Sequence, residues 1–264
     1  MAKIITIANN KGGVGKTTTA VNLAAALRLQ GYDVLLVDYD GQRNLSEALR
    51  VQTSQGTIYD AMRDPRHHVT PSRLLSVEQG VGVLDAIPAA RELSAMETEL
   101  AKAPDKVTRF ATIVDRYRDN YDVIIVDTPP ALGLLSVSAL YACDAAIVTT
   151  QPNYLAVRGL VTLSDTIKTI GTNRGRALPF SILFTQTDQR KSLHRLVIDQ
   201  VNGSGYDVLS TTIRDNIALA EAPATGTDIF RYKPRSNGAR DYKLLATEYT
   251  NRNKDIKHKK HGYK

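Results

Sequence analysis

Short runs of β-branched and other apolar residues recur along the chain, with longer stretches of helical periodicity between them. Residues 3–8 (KIITIA), 34–37 (VLLV), 123–126 (VIIV), 145–149 (AAIVT) and 180–185 (FSILFT) are apolar almost without interruption. An unbroken apolar run marks a strand covered on both faces, so these runs predict a mainly parallel twisted sheet with helices on each side, an α/β fold. The first helix is expected from Thr17 to about Gln30. Ala20, Leu23, Ala24 and Leu27 repeat on one of its faces, and Gly31 supplies the stop. Further on, residues 81–87 (VGVLDAI) read as a strand, 92–102 and 106–118 as helices, and 64–71 (DPRHHVTP) as a loop. Residues 206–213 (YDVLSTTI) read as a last strand, 216–221 as a short helix and 237–252 as a closing helix. No internal repeat or low-complexity linker divides the chain.

A length of 264 residues is near the limit for one hydrophobic core, so one domain over residues 1–251 and a mobile tail at 252–264 is the expected organisation. Hydrophobic residues at 42% and charged residues at 23% exclude a largely disordered, collagen-like or coiled-coil chain. The net charge of +7 is unevenly placed: residues 1–251 carry 28 Lys and Arg against 26 Asp and Glu, whereas 252–264 (RNKDIKHKKHGYK) carry 6 against 1. Such a terminus is solvated, or contacts phosphate or an acidic membrane surface. Ile256 and Tyr263 are too few apolar anchors for an interfacial helix, which favours nucleic acid over a membrane. No apolar stretch approaches the roughly 18–20 residues of a membrane span, and glycines interrupt the N-terminus before a signal-peptide core develops, so a soluble cytoplasmic protein is expected. Cys143, the single cysteine, excludes an internal disulfide and a multi-thiolate metal site. His67 and His68 are adjacent, a spacing that suits a surface loop better than a shared metal.

The chemistry is concentrated after the first strand, in Asn10-Lys11-Gly12-Gly13-Val14-Gly15-Lys16-Thr17-Thr18. A glycine loop between a strand and a helix is the setting of a P-loop: its backbone N–H groups converge on phosphate oxygens, and the helix N-terminus adds partial positive charge. Lys16 supplies a compact cation for β- and γ-phosphates, Thr17 a hydroxyl for Mg²⁺, and Thr18 a contact to the α-phosphate. A dinucleotide site has no use for the Lys16-Thr17 pair, so a nucleoside triphosphate with Mg²⁺ is the expected ligand. Asp127 closes the run at 123–126 ahead of Thr128-Pro129-Pro130, as a Walker B acid does. Asp38 and Asp40 close the second run in Asp38-Tyr39-Asp40-Gly41-Gln42, where a strand-terminal aspartate also has the option of capping the next helix.

Where the general P-loop pattern has glycine, this chain has Asn10, and Lys11 stands two residues before Gly13. In this the loop resembles the ParA/MinD family of deviant Walker ATPases. Gln151-Pro152, Gly159-Leu160, Thr185-Gln186-Thr187-Asp188, Glu221-Ala222-Pro223 before Gly226, and residues 236–246 (SNGARDYKLLA) carry the resemblance to about residue 252 and narrow it to ParA-type partition ATPases of the Soj group. The resemblance implies ATP as the nucleotide, with Lys11 reaching across a sandwich homodimer to the partner's phosphates. It implies Asp40 as the group that positions or activates water, and Asp38 as support for the Mg²⁺ shell. It further implies slow hydrolysis stimulated by a ParB-type centromere-binding protein, non-specific DNA binding by the dimer, and nucleoid association in the ATP state. DNA contacts would come from Arg190, Lys191, Arg195, Arg214, Arg231, Lys233 and Arg235, with Lys257, Lys259 and Lys260 as additions. Any one of these is equally a solvated or paired surface cation, and Arg214 lies beside Asp215. Residues 186–188 and 213–216 resemble the base-contacting regions, without one residue standing out. The family usually reads D-x-D-P-Q, and Gly41 in place of that proline leaves the loop geometry and the hydrolysis rate open. The P-loop begins about ten residues into the sequence, so the N-terminal helix-turn-helix of longer relatives is not expected. A MinD-like membrane-associated ATPase and ParA-like positioning of a protein cargo are the alternative readings. Kinship to nitrogenase iron protein is opposed by the single cysteine.

Overall fold

The computed structural model describes residues 1–76 and 80–256, apart from the side chains of residues 155–158. Strands β1 (Lys3–Ala8), β2 (Val34–Asp38), β3 (Ser72–Leu75), β4 (Leu84–Ile87), β5 (Val123–Asp127), β6 (Ala145–Thr150) and β7 (Phe180–Phe184) form one sheet in the order β3-β4-β2-β5-β1-β6-β7. Every pair is parallel except β3 with β4, which is antiparallel and bulged. The helices are α1 (Lys16–Leu29), α2 (Asn44–Ala48), α3 (Ile58–Arg63), α4 (Met96–Glu99), α5 (Arg109–Val114), α6 (Leu134–Ala142), α7 (Tyr154–Asn173), α8 (Ser192–Asn202), α9 (Ile217–Thr225), α10 (Ile229–Tyr232) and α11 (Asn237–Arg252).

Alternate residues of the central strands feed two cores, one on each face. Ile4, Leu35, Val37, Ile124 and Val126 pack with α3, α5, α6 and α7, while Ile5, Ile7, Val34, Leu36, Val123 and Ile125 pack with α1, α9 and α11. Both faces of each central strand are therefore apolar, the physical origin of the uninterrupted runs in the sequence. On α1 the stripe of Ala20, Leu23, Ala24 and Leu27 is fully buried. The chain builds outward on one side of β1 through β2 and β4, then after β5 on the other side through β6 and β7. The crevice at the C-terminal ends of β1, β2 and β5 lies where these connections diverge, the usual position of a ligand site in such a sheet.

Several local expectations change. The helix expected over 92–102 is a 3₁₀ turn, Arg91–Ala95, running into the single turn α4. Leu93 and Met96, both fully buried, are three residues apart, the period of a 3₁₀ helix. The helix over 106–118 starts later, at Arg109, and ends in a second 3₁₀ turn, Asp115–Tyr117. Residues 206–213 run beside β7 through isolated bridges such as Ile182 with Val208 rather than as a full strand. The Glu248 carboxylate accepts the Ser210 and Thr211 N–H groups at 2.7 Å each, taking donors a ladder would have used. The tail expected to be mobile from residue 252 is held as far as residue 256. Arg252 closes α11 and pairs with Glu248 at 2.6 Å and Asp207 at 2.9 Å, Lys3 donates to Asn253 at 2.7 Å, and Ile256 is buried. Lys257, Lys259, Lys260 and Tyr263 lie outside the described residues.

Candidate functional site

The loop between β1 and α1 is pinned at three points by the ends of neighbouring strands. The Asn9 amide donates to the Thr149 carbonyl at 2.5 Å, and its oxygen accepts the Lys11 N–H at 2.9 Å. The Thr185 hydroxyl donates to the Val14 carbonyl at 2.9 Å. The Gln186 and Gln151 amides both donate to the Gly13 carbonyl, at 2.8 and 3.1 Å. With these carbonyls taken by side chains, the N–H groups of residues 12–15 have no hydrogen-bond partner among the described residues. Gly13 and Gly15 sit at φ 71° and 77°, a region that strains residues with a Cβ, and Gly15 is the N-cap from which α1 begins at Lys16. The N-terminus of a 14-residue helix thus opens onto the loop.

Lys16 is buried, and its ammonium donates to the Lys11 carbonyl at 2.8 Å. Burial pulls its pKa below the ordinary lysine value, opposed by the Asp127 and Asp40 charges. Thr17 donates its hydroxyl to one Asp127 oxygen at 2.6 Å. The other Asp127 oxygen, Oδ1, is buried and has no hydrogen-bond partner among the described residues. Asp38 and Asp127 stand opposite each other in the β2–β5 register, so two carboxylates emerge side by side at the strand ends. The Asp38 carboxylate accepts from the Ser46 N–H and hydroxyl at 2.8 and 2.6 Å and from the Asp40 N–H at 3.3 Å. It therefore also caps α2 from outside, and the Asp38 hydroxyl partner Ser46 had no signal in the sequence. Asp40 accepts the Gln42 N–H at 3.0 Å and lines the cleft in front of the loop.

Burial pushes the Asp127 carboxyl up to about 8, with the Asp38 and Asp40 charges adding to it. Burial likewise pushes Asp38 up to about 6 against the pull of Ser46. Ionising these neighbouring carboxylates together would leave more negative charge than the one buried lysine compensates, and Asp127 Oδ1 has a lone pair to offer. The residues present fit a divalent cation. Among the described residues no group of three or more His, Cys, Asp and Glu side chains is built to hold a metal unaided. That suits Mg²⁺, which keeps waters and takes ligand phosphate oxygens alongside one or two protein groups.

The cleft has a volume of about 420 Å³ and is bounded by Gly12, Gly13, Gly15, Lys16, Thr17 and Thr18 on one side and Asp40, Gln42 and Asn44 on the other. Lys11 is absent from its lining, and its ammonium has no hydrogen-bond or ion-pair partner among the described residues. Gly41 is buried, and a Cβ there would collide with the Ser94 hydroxyl and approach the Ser94 N to 2.8 Å. The glycine thus does not loosen the loop; it lets the loop close on Ser94.

The basic candidates are less uniform. Arg190 forks onto Asp188 at 3.0 Å and Arg195 donates to the Gln189 carbonyl at 2.6 Å. Arg214 pairs with the buried Asp241 at 2.5 Å rather than with Asp215, and Arg231 pairs with the buried Asp228 at 2.6 Å. Lys191, Lys233 and Arg235 are exposed, and their side chains make no hydrogen bond or ion pair among the described residues. Arg190 and Arg214 border one shallow hollow with Asn216 and Asn237.

Comparison with known proteins places these features in context. A family model described as an AAA domain matches residues 2–179. The sporulation initiation inhibitor protein Soj of Bacillus subtilis (strain 168) is 39% identical over 252 residues, covering 94% of this chain and 98% of that protein. The chromosome-partitioning ATPase Soj of Treponema pallidum (strain Nichols) is 38% identical, covering 94% and 97%. Among solved structures, cobyrinic acid a,c-diamide synthase from Mycobacterium smegmatis with bound ATP analog and magnesium is 26% identical, covers 97% of this chain and 98% of that one, and has a TM-score of 0.79.

Proposed function

The chain belongs to the AAA-domain family and, within it, to the ParA/Soj-type partition ATPases, and from that premise we propose that it is an ATP-driven segregation switch. ATP with Mg²⁺ brings two copies together face to face. The dimer binds DNA without base preference, and hydrolysis stimulated by a ParB-type centromere-binding partner releases it. The protein is cytoplasmic and joins the nucleoid in the ATP state. Among the described residues no helix is long and apolar enough to cross a membrane.

In this reading Thr17 and Asp127 hold Mg²⁺, and Asp38 keeps its place beside them through Ser46. When bound, the ion neutralises charge on the phosphate oxygens. Lys16 and the loop N–H groups bind and orient the triphosphate, a preorganised set of donors that needs no rearrangement as charge develops. Asp40, held by Gln42 at the mouth of the cleft, orients the attacking water. Lys11 of the second copy adds a cation from outside.

The observation that carries the proposal is the contrast between the two loop lysines. Lys16 is buried in its own site, whereas the Lys11 ammonium, on the same loop, has no hydrogen-bond or ion-pair partner among the described residues and lies outside the lining of the cleft. The test is retention of duplex DNA by the wild type, Lys11→Ala and Lys16→Ala, each with ATP, ADP or no nucleotide. Only the wild type with ATP should retain DNA, and retention should fall steeply as salt is raised, the mark of phosphate contacts. Retention independent of nucleotide and of both lysines defeats the switch.

A further inference from the structure

One surface stretch, residues 89–97, reaches all three carboxylate-bearing loops. The Ala89 N–H donates to the Ser46 hydroxyl at 3.0 Å, and that hydroxyl donates to Asp38 at 2.6 Å. Ser94 packs against Gly41, the residue after Asp40, so closely that no Cβ fits there. Glu97 packs against Gly133, where a Cβ would approach its Cδ to 2.8 Å and Oε2 to 2.9 Å, and its Oε1 accepts the Leu135 N–H at 3.4 Å. Gly133 is the N-cap of α6 and has no side chain of its own to offer, so the Glu97 carboxylate takes that role from another element. The loop that ends at Gly133 begins at Asp127.

The stretch is anchored from beneath. Leu93 and Met96 are fully buried in the same core as Tyr39 and Leu135, which flank the two loops. Tyr39, between Asp38 and Asp40, stacks on Phe110 with ring centroids 4.1 Å apart. Ser94 and Glu97, three residues apart and exposed on their outer side, rest on this base.

We propose that Ser94 and Glu97 are positioning residues for hydrolysis, a strut that sets the Asp40 loop and the Asp127–Gly133 loop relative to each other. This rests on the ATPase reading above. Neither residue lines the cleft, so each acts through the loop it packs against.

The test uses Glu97→Ala and Glu97→Gln in the full chain, measuring ATP turnover against Mg²⁺ concentration together with Tm. Loss of a cap interaction at the start of α6 should lower kcat about tenfold and raise the Mg²⁺ needed for half-maximal turnover about fivefold in Glu97→Ala. Glu97→Gln keeps an acceptor oxygen and the shape against Gly133, so it should recover to within about twofold of wild type. Tm should fall by only a few degrees in Glu97→Ala, as expected for one lost cap, and Mg²⁺-free nucleotide affinity should stay level in both, whereas a merely structural role predicts no change in the Mg²⁺ requirement. A second arm pairs Gly41→Ala with Ser94→Gly. The added methyl should cost about tenfold in kcat and Ser94→Gly about threefold, yet the double variant should lose less than the product, since the clash with the Ser94 side chain is gone and only the approach to its backbone N, 2.8 Å, remains. Wild-type turnover matched by Glu97→Ala in both kcat and Mg²⁺ requirement, or multiplicative losses in the double variant, overturns the strut. Absence of ATP turnover in the wild type itself defeats the ATPase reading instead.

Discussion

Replacing Asp127 with Asn should make the ligand-free protein more stable while removing its Mg²⁺-dependent turnover. Asp127 is fully buried, and burial, then Asp38 and Asp40, raise its carboxyl from 3.8 to about 8 despite the Thr17 hydrogen bond and Lys16. Because the folded value lies above the unfolded one, the folded chain holds a proton that the unfolded chain has released. The stabilising contribution of this carboxyl is complete below about pH 4 and is lost as pH rises through about 8. At pH 7 a gap of about three units corresponds to a ceiling of about 4 kcal/mol. Asparagine escapes that cost but leaves an amide group at the position of the unpartnered Oδ1, worth about 1–3 kcal/mol in the other direction. The net gain is about 1–3 kcal/mol, or roughly 3–9 °C in Tm for a chain of this size. Calorimetry of both proteins in EDTA at pH 8 and pH 5 is the assay. The variant should melt higher at pH 8 and lose that advantage at pH 5, where the wild-type carboxyl is protonated. A variant that melts lower at pH 8, or shows the same shift at both values, refutes the charge argument.

Lys191→Ala should weaken DNA retention with little change in Tm, because its side chain is exposed and makes no hydrogen bond or ion pair among the described residues. Arg214→Ala should weaken retention and also lower Tm, because it strands the buried Asp241 carboxylate; thermal melts beside DNA titrations separate the two. Thr185→Val removes the hydroxyl that holds the Val14 carbonyl and should raise KM for ATP about three- to tenfold, with kcat less affected. Tyr39→Phe keeps the stack on Phe110 but drops the hydroxyl contacts to Ser138 and Met62, and should cost about 1 kcal/mol by denaturant unfolding.

The parallel sheet and the phosphate loop were legible because each is written in short, contiguous sequence. A strand buried on both faces must be apolar throughout, and a loop that wraps phosphate must carry glycines and a lysine before a helix. The region from residue 51 to 118 was much less legible. Helices α2 and α3 have only five and six residues, too short for a periodic stripe, and β3 is a four-residue antiparallel edge with no fully buried position. The supports of the site were invisible for another reason. Ser46, Ser94 and Glu97 act on carboxylate loops that lie beside them only after folding, and nothing in their own neighbourhood marks them. Arg214 shows the same limit: its neighbour Asp215 looked like the partner, yet Asp241, on α11, holds it.

The electrostatics of the site and its bracing belong to one physical arrangement. Asp38 and Asp127 are forced together by the register of β2 and β5, so their repulsion cannot relax by sliding one strand without breaking the ladder and exchanging the side chains packed in the two cores. Relief has to come from protonation, from Lys16, or from a cation taken up between them. Protonation costs the carboxylate character that binds a metal, and Lys16 is one charge shared among three carboxylates. A bound divalent ion relieves most of the repulsion at once, so its binding energy grows with the stiffness of the brackets that keep the carboxylates close. A strut that let the Asp40 and Asp127 loops drift apart would lower the repulsion in the ligand-free protein and, by the same amount, the gain on binding. The coupling between ligand and shape that a nucleotide switch requires therefore depends on rigidity at residues 89–97 as much as on the carboxylates themselves.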